Sequence, residues 1–223
     1  MNIKGAIFDM DGTLIDSLIL WDVIWGEFGK RYLNDASFRP SDKDDKTVRT
    51  TTLKEAMNII HSNYAIGKDG EELLELANNI MRNFYANDVK LKSGVLEFLE
   101  YCYEKGIKMC VASATEMSLI ETAINHCNIG KYFTDVLSCA ETGKGKDKPD
   151  IYLKALSSLG TKTEETCIFE DSLVALNTAK SIGMKTVGIY DKFNYGHEEM
   201  KKIADVYVGD GETLGKVIDS NRI

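Results

Sequence analysis

The sequence predicts an α/β fold, a Rossmann-like parallel sheet flanked by helices, with an α-helical bundle inserted as a second domain. Two observations predict it. From residue 92 onward, short apolar segments typical of buried strands alternate with helical segments, and residues 3–8 form one more such strand. Between Leu14 and Lys90 the pattern is helical, with no strand signal. The predicted core domain is therefore residues 1–15 and 92–223, and the predicted helical domain is residues 16–91.

The composition is that of an ordinary globular protein. Its 223 residues are 43% hydrophobic and 28% charged, and 35 acidic against 27 basic residues give a net charge of −8. This charge argues against a nucleic-acid partner. The five cysteines are scattered without a C-x-x-C pair, which favours reduced thiols and a cytoplasmic location over structural zinc.

No membrane partner or secretion signal is expected from the apolar segments. The chain begins with a strand pattern and lacks the long apolar region of a signal peptide. The most apolar segment, LILWDVIW, is too short to cross a bilayer and contains Asp22.

The helical domain begins, by its periodicity, at Leu14. One apolar stripe has helical spacing and consists of Leu14, Leu18, Trp21, Trp25, Phe28 and Tyr32. A second apolar face predicts that this helix is buried on several sides. Residues 34–46 are polar, contain Pro40 and predict a loop. Helices are predicted at residues 52–64 and again from about Asp69.

The core domain continues with a regular alternation of helices and strands. The predicted helices are residues 95–104, 116–127, 149–159 and 173–182, with a weaker one near the end. The predicted strands are residues 107–113, 136–139, 166–171, 185–191 and 205–210. Pro149 in a first helical turn and Gly183 just after a helix are typical of helix boundaries. Such alternation predicts parallel strands joined by helical crossovers.

Polar residues follow three of the predicted strands. Asp9 and Asp11 end the first, Ser113 ends the second, and Glu170 and Asp171 end the segment TCIFED. A lysine-rich loop, GKGKDKPD, lies between a later strand and its helix. Turn chemistry, helix capping or a solvated surface would explain each feature alone. In a parallel sheet, however, they meet at one edge, where ligands bind.

This coincidence predicts a site for Mg²⁺ and a phosphoryl group. Mg²⁺ prefers hard oxygen ligands, and two neighbouring carboxylates such as Asp9 and Asp11 are costly unless a cation lies between them. The prediction requires Asp9 and Asp171 to lie closer than about 8 Å.

Four motifs, in order, resemble those of the haloacid dehalogenase-like hydrolase superfamily. They are FDMDGT, VASAT, the lysine before PDIY, and FEDS. The resemblance spans the chain, because DGTLIDS and the helical insertion are similar to the subfamily with a helical cap domain. That subfamily contains phosphoglycolate phosphatase-like enzymes and β-phosphoglucomutase.

The resemblance implies a role for each matching residue. Asp9 would be the nucleophile that forms an aspartyl-phosphate, and Asp11 the general acid and base. Ser113 and the amide of Ala114 would bind phosphoryl oxygens. Lys146 would neutralise charge on the phosphate and Asp9.

The resemblance also implies a Mg²⁺ site. Its ligands would be Asp9, the backbone carbonyl of Asp11, Asp171, and Glu170 either directly or through water. For the lysine, the family pattern selects Lys146, while its flanking neighbours, Lys144 and Lys148, remain alternatives.

The expected activity is hydrolysis of a small phosphorylated metabolite. Asp11 argues against dehalogenases and phosphonate-cleaving relatives, since both lack this aspartate. A β-phosphoglucomutase-like mutase remains an alternative, although Trp21 occupies the position of its cap histidine and the surroundings of Arg49 match only loosely. A non-catalytic binding protein would require a missing catalytic group, and none is missing. A monomer or weak homodimer is expected, while the substrate stays open.

Two tryptophans of the first helix have two interpretations. Trp21 and Trp25 could form a wall of the substrate pocket, which the helical domain would close by hinging near Asp16 and Lys92. An aromatic stripe on a helix is, however, more often part of a core.

Overall fold

The computed structural model describes residues 3–49 and 51–219, and the strands of these residues form one parallel sheet. The strands are β1 (Gly5–Phe8), β2 (Lys108–Ser113), β3 (Asp135–Ser138), β4 (Thr166–Glu170), β5 (Lys185–Ile189) and β6 (Val206–Val208). Their order across the sheet is β3-β2-β1-β4-β5-β6. The predicted fold class is confirmed. Because β1 is central, the residues that follow it lie between the ends of β2 and β4.

The helices agree with most of the predicted segments. They are α1 (Leu20–Phe28), α2 (Asp42–Val48), α3 (Leu53–Tyr64), α4 (Gly70–Asn87), α5 (Val95–Glu104), α6 (Met117–His126), α7 (Asp150–Leu159), α8 (Leu173–Ser181), α9 (His197–Ile203) and α10 (Gly215–Asp219). The last of these has no counterpart in the sequence prediction.

The central strands are apolar on both faces because helices cover both. On one face, Ile7 and Ile168 belong to a buried cluster that includes Tyr152 of α7 and Leu176 of α8. On the other face, the ring of Phe8 stacks on a neighbouring strand's phenylalanine with centroids 4.5 Å apart. All four residues of β1 are buried. This two-sided burial explains why the strand is a continuous apolar run.

The chain divides into two compact units, of which the smaller is Ile19–Asp88. This unit is helical, and its bounds lie slightly inside the predicted residues 16–91. Side chains cap helices of this unit: Thr52 accepts from the Glu55 amide at the start of α3, and Asp69 accepts from the Glu72 amide at the start of α4. Such caps satisfy amides that have no partner within the helix.

The predicted helix start at Leu14 is wrong, since α1 begins at Leu20. The amides of Thr13, Leu14 and Ile15 all bond to the carbonyl of Met10, which makes a compact turn instead of a helix. This turn spans residues 10–15 and contains Gly12, whose φ of +80° is incompatible with a right-handed helix. Leu14, the member of the apolar stripe before Leu18, therefore belongs to this turn and not to a helix.

The predicted loop over residues 34–46 is also wrong in its second half, because α2 begins at Asp42. The Ser41 side chain caps it by accepting from the amide of Asp44. Aspartates in a first turn interact favourably with the positive end of the helix dipole. The polarity that predicted a loop is here the signature of a helix start.

Within the helical unit, Trp25 is a core residue. It is buried, its indole N–H donates to Asp45 Oδ1 at 3.0 Å, and its ring stacks on Trp21. Arg49 pairs with Asp45 at 2.6 Å and lies 5.8 Å from the Trp21 ring centre. Trp25 is thus held inside its own unit, in agreement with the core interpretation.

Two further sequence expectations concern membranes and thiols. Among residues 3–49 and 51–219, every helix is too short or too polar to cross a membrane. All five cysteines lie within this described part and are free thiols.

Candidate active site

The carboxylates of two central strands meet at the carboxyl edge of the sheet. Asp9 follows β1 directly, and its amide bonds to the Phe169 carbonyl at 3.0 Å, which continues the pairing of β1 with β4. Glu170 ends β4 and Asp171 comes next. Carboxylate oxygens of Asp9, Glu170 and Asp171 all lie within 4.8 Å of one another, and all three residues are buried. The predicted proximity of Asp9 and Asp171 is therefore met.

One lysine of the GKGKDKPD loop reaches this cluster. The Lys146 ammonium contacts Asp9 Oδ1 and donates to Glu170 Oε1 at 2.6 Å. Its neighbours turn elsewhere: Lys144 pairs with Asp150 at 2.7 Å, and Lys148 lies 3.7 Å from Asp147. Of the three lysines that the sequence left open, Lys146 is therefore the one whose ammonium lies in the carboxylate cluster.

If all three buried acids were ionised, the one ammonium would leave negative charge uncompensated. Burial raises the pKa of Asp9 to about 8, with Glu170 and Asp11 adding to the rise and Lys146 opposing it. Burial also raises the pKa of Asp171 well above its usual value. Burial alone would lower the pKa of Lys146, but the Asp9 and Glu170 carboxylates raise it well above the ordinary value, so the ammonium stays charged.

The donor set fits a hard divalent cation. Three carboxylates supply only oxygen ligands, which Mg²⁺ prefers, and their excess charge would be neutralised by an ion of charge +2. Gly12 allows the turn after β1 to approach Asp171 closely, because a Cβ at position 12 would clash with Asp171 Oδ2. The backbone after Asp11 is thus packed directly against one of the candidate ligands.

The Asp11 side chain is fixed by two hydroxyl groups. Ser17 Oγ donates to one carboxylate oxygen and Thr115 Oγ1 to the other, each at 2.7 Å. Ser17 lies between the turn after β1 and the start of α1, and Thr115 follows β2, so two separate segments of the chain hold this acid between them. These contacts set the orientation of Asp11 independently of the three-carboxylate cluster.

Ser113 and Ala114 lie at the end of β2, the neighbour of β1. Phe8 pairs with Val111, so Ser113 stands at the level of the residues just beyond Asp9. Ser113 is buried, and its Oγ accepts from the Thr115 amide at 3.1 Å. The serine hydroxyl and the turn after it are therefore at the same sheet edge as the acids.

Sequence reasoning missed several polar residues of this edge, among them Ser17, Thr115 and Asn194. Ser17 and Thr115, which bond Asp11, lie inside the quoted motifs DGTLIDS and VASAT, but no role was predicted for either. Asn194, in the loop after β5, donates to Asp171. Its position after a parallel strand was the available signal, although a lone asparagine there equally suggests a turn.

Comparison with known proteins agrees with the family resemblance of the four sequence motifs. Residues 6–189 match the family described as "Haloacid dehalogenase-like hydrolase". A "Phosphorylated carbohydrates phosphatase" from Thermotoga maritima is 26% identical over 198 residues, which cover 86% of this chain and 88% of that protein.

Two similar crystal structures support the fold alone, since their sequence identities are low. CbbY from Rhodobacter sphaeroides, in complex with phosphate, has a TM-score of 0.73 and 23% identity, covering 92% of this chain and 93% of that one. β-Phosphoglucomutase from Clostridium difficile has a TM-score of 0.71 and 19% identity, covering 99% and 97%.

Proposed function

This chain belongs to the haloacid dehalogenase-like hydrolase family, and from that premise we propose that it is a Mg²⁺-dependent phosphatase of small phosphorylated metabolites. The similarity to a named phosphatase supports its being a phosphoric monoester hydrolase. The observation that supports the proposal most strongly is the buried cluster of Asp9, Glu170 and Asp171, in which the Lys146 ammonium contacts Asp9 and Glu170. Such a cluster can accept a divalent cation and a phosphoryl group together.

In the proposed reaction, Asp9 is the nucleophile. One of its carboxylate oxygens attacks phosphorus, the phosphorus–oxygen bond to the substrate breaks, and Asp11 gives a proton to the leaving oxygen. Asp11 then takes a proton from water, the water oxygen attacks phosphorus of the aspartyl-phosphate, and inorganic phosphate leaves with Asp9 restored. The hydroxyl groups of Ser17 and Thr115 support this role of Asp11 by orienting it.

The other residues of the site bind the phosphoryl group or the cation. We propose that Ser113 and the Ala114 amide donate to phosphoryl oxygens, and that Lys146 offsets the charge between them and Asp9. Asp9, the Asp11 carbonyl, Glu170 and Asp171 would hold Mg²⁺. When bound, Mg²⁺ supplies positive charge for the phosphoryl oxygens.

A sugar phosphate or related phosphorylated carbohydrate is the proposed substrate class, by similarity to the Thermotoga maritima phosphatase. We propose that the helical unit acts as the cap domain and carries residues that select the substrate. A mutase is the alternative, and Trp21, in place of the mutase histidine, argues against it.

The proposed partners do not include nucleic acid, which the net charge of −8 supports. The proposed location is the cytoplasm, which the free thiols support. The proposed oligomeric state is a monomer or weak homodimer.

A phosphatase screen tests this proposal. Purified protein with Mg²⁺ is expected to release inorganic phosphate from p-nitrophenyl phosphate and from members of a sugar-phosphate panel. Incubation with β-glucose 1-phosphate separates the alternatives, because a mutase would yield glucose 6-phosphate instead of inorganic phosphate. Absence of activity on every compound would overturn the proposal.

The electrostatics of the cluster predict a stability effect of Mg²⁺ that grows with pH. Between about pH 3.8 and pH 8 the metal-free folded protein retains a proton on Asp9 that the unfolded chain releases, so its stability falls as pH rises. Mg²⁺ binding displaces that proton and is favoured at higher pH. Thermal unfolding at pH 5 and pH 8, with and without Mg²⁺, should show the larger Mg²⁺ stabilisation at pH 8.

Asp9→Asn supplies the control for this measurement, because asparagine does not titrate. The metal-free variant should lose less stability than the wild type between the two pH values. Equal Mg²⁺ stabilisation of the wild type at both would contradict the prediction.

A further inference from the structure

The loop after β5 contacts the candidate metal ligand Asp171 through one residue, Asn194. The Asn194 amide nitrogen donates to Asp171 Oδ2 at 2.8 Å and to the Asp171 main-chain oxygen at 2.9 Å. The amide oxygen accepts from the Tyr195 amide at 2.8 Å, which determines that the nitrogen end faces Asp171. A single side chain thus binds both the carboxylate and the backbone of Asp171.

A partly buried ion pair orders this loop. Asp191 is 2% exposed, and its Oδ2 accepts from the Lys92 ammonium at 2.7 Å. Its Oδ1 accepts from the main-chain N–H of Phe193 at 2.9 Å, and its main-chain oxygen accepts from the main-chain N–H of Asn194 at 3.0 Å. Asp191 therefore shapes the turn from which Asn194 projects.

Lys92 ties the same turn to a distant part of the chain. Its ammonium also donates to the Tyr190 main-chain oxygen at 3.1 Å, so two consecutive residues of the loop are bonded to it. Lys92 follows the point where the core unit resumes after Asp88. The loop thus has a fixed backbone on which Asn194 is held against Asp171.

We propose that Asn194 is a positioning residue for Asp171, and that the Lys92–Asp191 ion pair preorders it. This inference rests on the proposed Mg²⁺ site. Rotation of the Asp171 carboxylate would break the bond to Asn194, so the amide restricts the carboxylate to one orientation. Groups that orient a metal-ligating carboxylate in this way typically contribute a factor of about 10–100 to metal affinity.

The test compares Mg²⁺ binding by wild type, Asn194→Leu and Lys192→Ala. Leucine has a similar size but no donor, and Lys192 is an exposed residue of the same loop that serves as the control. Isothermal titration with Mg²⁺ alone should give a dissociation constant raised about 10–100-fold in Asn194→Leu and unchanged in Lys192→Ala. The Mg²⁺ concentration for half-maximal phosphatase activity should rise by the same factor, while kcat at saturating Mg²⁺ is largely retained.

A second variant separates orientation from loss of folding. Asp191→Asn keeps the side-chain shape but removes the charge that pairs with Lys92, and should weaken Mg²⁺ binding less than Asn194→Leu does. The two changes combined should be less than additive in free energy, because both act through the same contact. If Asn194→Leu does not fold, Asn194→Ala takes its place in the comparison with Asp191→Asn.

The outcomes distinguish this inference from the proposed function. Wild-type Mg²⁺ affinity in both Asn194 variants, with an active wild type, would overturn the inference and leave the proposed function intact. A wild type that neither binds Mg²⁺ nor hydrolyses any phosphate ester would overturn both.

Discussion

Asp9→Asn is expected to lower the phosphatase activity by at least about 10³-fold, because the amide has no carboxylate oxygen to attack phosphorus. The variant should still fold. Asp9 is buried among other acids and burial raises its pKa, so replacing it with a neutral amide removes an unfavourable group from the metal-free protein. The measurement is kcat for p-nitrophenyl phosphate with Mg²⁺, together with thermal unfolding of the metal-free protein at pH 8.

The matched control is Asp210→Asn, which makes the same chemical change at an exposed aspartate of the core unit. It should leave both kcat and the unfolding temperature near the wild-type values. Mass spectrometry of wild type quenched in acid during turnover should find one phosphoryl group on the peptide that contains Asp9. Retained activity in Asp9→Asn, or a phosphoryl group on another residue, would refute the assignment of the nucleophile.

Lys146→Met is expected to destabilise the metal-free protein at pH 8 by about 3–5 kcal/mol, the usual cost of removing one partner of a buried ion pair. The Lys146 ammonium contacts both Asp9 and Glu170, and its side chain is only 11% exposed. Without it, the buried Asp9 and Glu170 carboxylates lose the cation that pairs with both. Activity should also fall strongly, since Lys146 is the cationic side chain that contacts Asp9 within residues 3–49 and 51–219.

Two comparisons make this prediction specific. The destabilisation should be smaller at pH 5, where Asp9 and Asp171 are more protonated because burial raises the pKa of both, and Mg²⁺ should reverse part of it. Lys144→Met is the control: its side chain is 54% exposed, so its solvent-screened pair with Asp150 should contribute little to stability. Urea unfolding of both variants at pH 5 and pH 8 measures the change in the free energy of unfolding. Equal destabilisation by Lys146→Met and Lys144→Met would contradict the buried-pair argument.

The alternation of strands and helices was predictable because it is encoded locally. A strand buried on both faces, such as β1, must be apolar throughout, and a helix must present an apolar stripe. The alternation itself then predicts a parallel sheet. Errors occurred where a local pattern has two physical meanings, as with the acidic start of α2, which is equally consistent with a loop.

The candidate site was predictable to the extent that it lies at strand ends. Asp9 and Glu170 end neighbouring strands, so the sheet topology alone brings them together. The choice of lysine was different, because Lys144, Lys146 and Lys148 lie in a loop whose local pattern does not determine which side chain turns inward.

The fold class, the family resemblance and the set of acids at the sheet edge could be inferred from the order of the amino acids, because short-range patterns and strand topology are sufficient for each. Three-dimensional packing was needed to show which lysine enters the cluster, which hydroxyl groups hold Asp11, and that Asn194 binds Asp171. Those contacts join residues far apart in the chain, and they depend on strand register and on the course of loops. Neither quantity is encoded in the spacing of neighbouring residues.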